Sequence, residues 1–515
     1  MRRDLASLSA ESHDVIVVGG GIHGACAAWE AARRGLKVAL IEAGDFNQAT
    51  SSNSLRTLHG GLRQLQRLDF VHMRESIRER REWLRLAPEL TKPLRFVLPA
   101  AKHGARRRTM LRTALWVNDL VSHDRNRDLP ADQQIPRGAM LSKAEFATLY
   151  PDVAVDGHNG AAVWYDGVCL NTERLQLAVV AAAVRSGACA ANYVRALQPL
   201  QDGRRIVGAR VRDELSGRQL DLEARMIINA AGPWLEEWLG VEARSFAPAF
   251  NASKAFNLLV RKLPFEDALG LTAHHKTYFI MPWNGYSLIG TRHLRCDPRT
   301  RVAVVSREEV LEFVADINPL LGEHRLEGAD VRGVFSGLLP EIAAVGADVV
   351  LERTPQIIDH SSQGLAGVLS IVGVKWTTAR AVGERVARQA LGYLGKVEPS
   401  ALSERKLDTA HTHLVLDADP ALAGRIVPDL PLVFAQIVHA ARYEMAMRLS
   451  DVVRRRIPLY LSTALDRSVL ASCAAVMARE LRWNRREIAA EVEAAALELA
   501  AFRGPLQADP HPVAA

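Results

Sequence analysis

The stretch from Asp14 to Glu42 constrains this chain more than any other. Asp14-Val15-Ile16-Val17-Val18 is a short run rich in β-branched residues, the pattern of a strand buried on both faces. Gly19-x-Gly21-x-x-Gly24 follows without a break, and Ala25 to Arg34 is Ala-rich and helix-prone until Gly35 stops it. Lys37 to Ile41 reads as a second strand that ends on Glu42. Strand, glycine turn, helix, strand and acid in this order form a βαβ dinucleotide fingerprint. Gly19 permits the tight turn, Gly21 lets backbone approach a pyrophosphate, and Gly24 lets helix and strand pack closely. The helix N-terminus offers free N–H groups and partial positive charge to the phosphates. Glu42 stands where an acid accepts hydrogen bonds from a ribose diol.

Such a unit fills a small part of a chain of 515 residues, 48% hydrophobic and 24% charged, which has room for about two or three domains. The formal charge of +7, from 65 basic and 58 acidic residues, suits an anionic cofactor, an anionic substrate or an anionic membrane surface. No nucleic-acid-binding motif accompanies it, so nucleic acid is not an expected partner. The five cysteines, Cys26, Cys169, Cys189, Cys296 and Cys473, are scattered and form no CxxC pair. Disulfides and metal sites are therefore not expected, and a reducing compartment fits best. Residues 1–14 lack an apolar core of signal-peptide length, and no run of about 18 apolar residues occurs. The expected location is the cytoplasm, with peripheral attachment to the inner face of the membrane left open.

Past Glu42, a cluster of small hydroxyl residues (Thr50, Ser51, Ser52) can cap a helix and donate to phosphate oxygens. His59-Gly60-Gly61-Leu62-Arg63 then lets backbone come close to a flat, anionic group. The combination of GGGIHGA with ATSSNS and LHGGLR resembles the FAD-dependent glycerol-3-phosphate dehydrogenases, whose pattern reads GGGxxGxG, then ATSSxSSKLxHGGLRYL. The resemblance implies FAD as cofactor, held noncovalently. It implies transfer of a hydride from a secondary alcohol carbon of sn-glycerol 3-phosphate to flavin, giving dihydroxyacetone phosphate. Electrons would pass on to quinone or another acceptor.

The resemblance continues along the chain. Gly160 to Gly167 matches a family passage, and Val194 stands where a strand lies against the adenine. Ala231-Gly232-Pro233-Trp234 follows an apolar strand and resembles the segment that closes over the pyrophosphate. Gly373-Val374-Lys375-Trp376-Thr377-Thr378 resembles GGKLTTYR, the turn beside the flavin ring, with Lys375 placed to stabilise negative charge and the two threonines able to cap the next helix. The C-terminal QIVHAARYEMAMRLSDVVRRRIPL resembles the family's helical cap. The expected fold is thus α/β: a Rossmann-like two-dinucleotide-binding FAD domain, a mixed-sheet substrate domain and an all-helical C-terminal cap. The expected boundaries are an FAD domain at 14–246 with a helical insertion at about 70–150, a mainly β substrate domain at 247–337, an FAD-domain return at 338–398 and the cap at 399–515.

Two helices outside the cofactor motifs carry signals of their own. Asp69 to Leu90 reads as amphipathic, with Phe70, Met73, Ile77 and Leu84 on its apolar side. Met110, Ala114, Val117 and Val121 follow Arg106-Arg107-Arg108 at helical spacing; that stripe either lies in a membrane surface or packs on its own domain. Arg454 to Arg456 reads as a solvated face or as part of a partner or membrane surface. A homodimer is compatible with all of this.

A flavin alcohol dehydrogenase needs cations for the anionic end of its substrate and a base for the hydroxyl proton. Three family cations persist as Arg63, Arg353 and Lys375. The arginine of the family's SGxRPL is replaced by Leu339, with Glu341 added nearby, and the histidine of its KGxH, a proposed base, is replaced by Asn257. Asn cannot take the proton. Arg292 and His293 stand where the family has Thr and Asp, and offer an anion holder and a base. The expected catalytic set is Lys375, Arg63, Arg353 and His293, and the expected substrate contacts are Arg63, Arg292, Arg353 and Asn257. Two alternatives remain: a paralogue oxidising another anionic hydroxy or amino compound, and a flavoprotein subunit without catalysis.

Overall fold

The computed structural model describes residues 1–153, 157–239, 251–273, 276–297, 300–342, 349–402, 407–408, 415–416 and 419–506. The expected 246/247 boundary lies outside them, as does much of Pro399 to Leu416, a stretch rich in polar residues that reads as a linker into the cap.

Two sheets organise the chain. The first runs in the order Gln356–Asp359, Val368–Val372, Gln219–Asn229, His13–Val18, Val38–Ile41, Cys189–Ala191. Neighbours along this order are parallel except the edge pair Gln356–Asp359 with Val368–Val372, and the antiparallel strands Val194–Asp202 and Arg205–Asp213 branch from Gln219–Asn229. Its central strand is apolar at every position from Val15 to Val18 because both faces are covered. Val15 and Val17 pack among the helices Ile22–Arg33, Thr172–Arg185 and Ala379–Leu394; Ile16 and Val18 pack under the hairpin Val194–Asp202 and Arg205–Asp213. Gly383 makes the close helix contact possible: a Cβ there would lie 2.6 Å from the Cys26 carbonyl carbon.

The second sheet has ten strands, in the order Val350–Leu351, Val331–Ile342, Asn251–Val260, Tyr286–Arg295, Lys276–Trp283, Ala268–Ala273, Thr91–Pro99, Ala161–Cys169, Thr57–Leu58, with Ala139–Leu141 beside Ala161–Cys169. It is larger than the mainly β segment expected at 247–337. Four of its strands come from residues 57–169, within the stretch assigned from sequence to the FAD domain, and Val331–Ile342 crosses the expected 337/338 boundary. Pairing over such separations leaves no local periodicity to read. One face packs with the C-terminal helices and the other with Arg307–Ile317.

The C-terminal segment is helical, as expected: Phe434–Tyr443, Arg467–Leu481 and Arg485–Arg503. Arg455 and Arg456 correct both readings of the basic run. Each is buried and donates to the Asp45 carboxylate at 2.7 Å, and Arg455 also reaches Asp451. They clamp the cap onto the loop that follows Glu42, because a buried charge needs an equally buried partner.

Candidate active site

The glycine turn is built as its sequence requires. Gly19 adopts φ +106°, and a Cβ on Gly24 would sit 1.9 Å from the Gly19 carbonyl oxygen. Gly21 caps the helix Ile22–Arg33 and stays open, its nearest Cβ neighbour being the Ser51 hydroxyl at 3.3 Å. That hydroxyl accepts the Ile22 N–H at 3.0 Å and keeps its own proton to donate. Glu42 is half-buried and accepts the Gly20 N–H at 2.6 Å and the Gly44 N–H at 2.9 Å. Burial raises its pKa, although both amides oppose the rise. Val194 donates its N–H to the Glu42 carbonyl at 2.7 Å, which fixes that strand end beside the acid.

The second glycine-bearing strand end closes on the first. Ala230 donates to the Val18 carbonyl at 2.8 Å, and Ala231 leads into the short turn Gly232–Trp234. Thr50 and Ser52 depart from the phosphate-donor role expected of them. The Thr50 hydroxyl donates to the Leu338 carbonyl at 3.1 Å and Ser52 donates to the Ala49 carbonyl at 3.0 Å. Thr50 thereby ties the loop to the second sheet.

The His59–Gly61 loop meets the returning strand. His59 donates its backbone N–H to the Thr377 hydroxyl at 2.9 Å, and the Trp83 indole donates to the Thr377 carbonyl at 2.8 Å. Gly60 donates to the buried Asp166, which also accepts from Arg80. Asp166 is a functional position that motif reading passed over, although it lies inside the matched Gly160–Gly167 passage. Gly61 caps the turn Leu62–Arg67. Gly373 follows the strand Val368–Val372, and Thr378 precedes the helix Ala379–Leu394 without donating or accepting a side-chain cap. The expected threonine cap is thus absent here, and Thr377 spends its hydroxyl on His59.

Arg63, Arg353 and Lys375 come together, with Arg67 added. Burial and the charges of Arg67 and Arg63 lower the pKa of Arg353. Burial also lowers that of Lys375; Glu75 and Asp69 oppose the fall and Arg353 adds to it. None of these four cations has an ion-pair partner among the described residues. Three arginines and a lysine gathered at one place, with only the more distant charges of Glu75 and Asp69 acting on the lysine, favour binding of an anion. His293 faces the same group: burial first, then Arg63 and Lys276, take its pKa down to about 4, and its Nδ1 has no hydrogen-bond partner among the described residues.

Two expected substrate contacts lie elsewhere. Arg292 is next to His293 on one strand, so its side chain leaves the opposite face. It stacks over Phe313 and pairs with Asp316 and Glu312 on the helix Arg307–Ile317. The anion-holding role expected of it is overturned by those carboxylates. Asn257 sits at a bulge, donating to the Asn53 carbonyl at 3.0 Å and accepting from the Thr291 hydroxyl at 2.8 Å. One end of its amide ties the second sheet to the turn Thr50–Asn53 and the other bonds to a neighbouring strand of the same sheet, so both are committed. Glu341 is paired with Arg295 at 3.3 Å, so the acid that accompanies Leu339 does not stand against the cation group unneutralised.

The open glycine turn, the half-buried Glu42 and the loop tied to Thr377 fit a flavin dinucleotide, whose nucleotide half the first two would hold. A parallel dinucleotide sheet joined to a second, mostly antiparallel sheet is an arrangement that suits a flavin-dependent oxidoreductase. Residues 14–389 match the family model of FAD dependent oxidoreductases, and residues 408–488 match the C-terminal domain of alpha-glycerophosphate oxidase. The chain belongs to this FAD-dependent family and, within it, to the glycerol-3-phosphate dehydrogenases. It is 30% identical to glycerol-3-phosphate dehydrogenase of Synechocystis sp. over 95% of this chain and 97% of that protein. It is 28% identical to the human mitochondrial enzyme of the same name, over 92% of this chain and 71% of the relative. The solved structure of glycerol-3-phosphate dehydrogenase from Bacillus halodurans complexed with FAD shares its fold, with a TM-score of 0.73 at 21% identity and 97% coverage of both chains. The protein is an FAD-dependent oxidoreductase.

Proposed function

We propose that this enzyme oxidises sn-glycerol 3-phosphate to dihydroxyacetone phosphate. The observation that carries the reading is the group Arg63, Arg67, Arg353 and Lys375, cations with no ion-pair partner among the described residues, beside the flavin-facing loops. The names of the relatives supply the substrate that such a group suits. Oxidation removes the C2 hydrogen with its electron pair and the hydroxyl proton, leaving a ketone. FAD, when bound, supplies the two-electron acceptor. The arginines hold the phosphate and so orient C2. His293, neutral near pH 7, takes the hydroxyl proton in place of the histidine that Asn257 displaces. Lys375 stabilises the negative charge that develops as the electrons leave C2.

Electrons then leave to a lipid quinone at a membrane face. Among the described residues no helix is long and apolar enough to cross a membrane. Leu68, Phe70, Val71, Met110, Trp116 and Leu120 are exposed, and Arg67, Arg107 and Arg112 are exposed among them. The helix Arg108–Val121 packs against the turn that carries Arg63. Apolar side chains set among arginines suit an anionic lipid surface. Of the stripe read either as membrane-facing or as packed on its own domain, Met110 is exposed and Ala114, Val117 and Val121 are half-buried; the helix buries only Leu115.

Anaerobic addition of glycerol 3-phosphate tests the substrate. Rapid bleaching of the flavin band at about 450 nm is expected. A flavin reduced by dithionite but untouched by glycerol 3-phosphate overturns the assignment. Flotation with phosphatidylserine-containing vesicles tests the face: the protein is expected to float, and Trp116→Glu to weaken it.

A further inference from the structure

His23 is the second residue of the helix that the glycine turn opens, and no hydrogen bond reaches its Nε2 among the described residues. Its ring lies against Gly373, the first residue after the strand Val368–Val372. A Cβ built on Gly373 would sit 2.3 Å from the His23 Cε1, 2.4 Å from Nδ1 and 2.6 Å from Nε2. All three of the nearest atoms to that Cβ belong to His23. The absence of a side chain at 373 therefore makes room for the imidazole at 23. The two residues join the two cofactor-facing segments: the turn Gly19–Gly24 on one side and the stretch leading to Lys375 and Thr377 on the other. The helices behind them converge in the same way, at Cys26 and Gly383.

An imidazole wedged between two cofactor loops, with a buried nitrogen that no protein group satisfies, is incomplete as it stands. We propose that His23 contacts the cofactor directly, its Nε2 hydrogen-bonding an oxygen of the bound flavin dinucleotide. Gly373 is the positioning partner that lets the ring reach that place. Burial lowers the imidazole's pKa to about 4, so the ring is neutral near pH 7 and the contact is one between neutral nitrogen and oxygen. Its strength is that of one buried hydrogen bond, not of an ion pair, and the dinucleotide turn alone does not call for a histidine.

The experiment is release of FAD from the holoenzyme on dilution, followed by the rise of flavin fluorescence, for His23→Ala, Gly373→Ala and the double variant. His23→Ala is expected to raise the FAD Kd about 10-fold, the effect of losing one such hydrogen bond. Gly373→Ala is expected to raise it at least as much, because its Cβ displaces the ring. In the His23→Ala background the same Gly373→Ala change is expected to add little, since the atoms it would strike are gone. His23→Gln, which keeps an amide in a similar volume, is expected to recover part of the affinity and stands in if the alanine variant does not fold. A space-filling histidine gives the opposite pattern: unchanged Kd in His23→Ala and His23→Gln with a lowered Tm, which overturns the proposal. An equal cost of Gly373→Ala in both backgrounds overturns the pairing.

Discussion

One oxygen of Asp166, Oδ1, accepts the Gly60 backbone N–H at 2.7 Å and an N–H of Arg80 at 2.6 Å. The carboxylate is buried, and burial alone would raise its pKa; hydrogen bonding by His59 and the charge of Arg80 bring it below the usual carboxylate range. It therefore stays charged, and it sets the loop that hands His59 to Thr377 and Arg63 to the cation group. Asp166→Ala strands a buried guanidinium and is expected to cost about 3–5 kcal/mol of stability. Asp166→Asn keeps the shape and one acceptor and is expected to cost less. Urea unfolding of the FAD-loaded proteins measures both, and an alanine variant as stable as wild type removes Asp166 from this role.

The cation group predicts how the substrate is lost. Arg353→Leu removes one charged hydrogen-bond donor and is expected to weaken binding by about 1.5–3 kcal/mol, roughly 10- to 150-fold in KM. Arg67 is exposed, so Arg67→Ala is expected to change KM less and to reduce its dependence on salt. Lys375→Met is expected to lower kcat more than it raises KM, because negative charge develops beside it only as the reaction proceeds. Steady-state kinetics with glycerol 3-phosphate at two ionic strengths separates the three. Equal effects on KM from Arg67→Ala and Arg353→Leu would contradict the difference in their burial.

His293 predicts a pH profile. The base works only when neutral, so activity rises with pH through its pKa. In the free enzyme that value is held down to about 4 by burial and by Arg63 and Lys276. A bound phosphate offsets those charges and raises it, so the acid limb of kcat is expected at higher pH than the acid limb of kcat/KM. His293→Asn is expected to lower kcat by about 100-fold or more and to abolish the limb. A variant with the wild-type acid limb would assign the proton to another group.

The dinucleotide unit was legible because everything it needs is local: β-branched strand, glycine spacing, helix and acid all lie within Asp14–Glu42. The helix Ala379–Leu394 was legible too, between its flanking threonine and glycine. The second sheet was only half legible, because Thr91–Pro99 pairs with Ala161–Cys169 about seventy residues away and local pattern carries no such register. The salt links of Arg455 and Arg456 to Asp45 span more than four hundred residues, and a basic run on a helix reads as surface until its partner is known. Arg292 was a different failure. Neighbours on a strand face opposite ways, so Arg292 and His293 were never able to serve one site together, and that signal was present in the sequence.

The cap provides the last prediction. Glu444 is buried, which alone would raise its pKa, but hydrogen bonding by His439 and the charges of Arg174 and Arg456 bring it down to about 2. Arg174 pairs with its carboxylate, and Arg456 donates to its backbone carbonyl at 3.0 Å while holding Asp45. A carboxylate whose folded pKa lies below its unfolded value contributes stability above the unfolded pKa and loses it as pH falls through the folded one. Here that contribution is about 3 kcal/mol, present above about pH 5 and gone near pH 2. The loss strikes the junction of the cap with the loop after Glu42, so acid is expected to release FAD along with the cap. Glu444→Gln removes the titrating group: it is expected to be less stable than wild type at pH 7, because a buried charge interaction with Arg174 is lost, yet to lose less on acidification. Unfolding midpoints in urea at a series of pH values, read by flavin fluorescence and by far-UV circular dichroism, test this. Parallel pH dependence in the two proteins would place the acid sensitivity of the cap on other carboxylates.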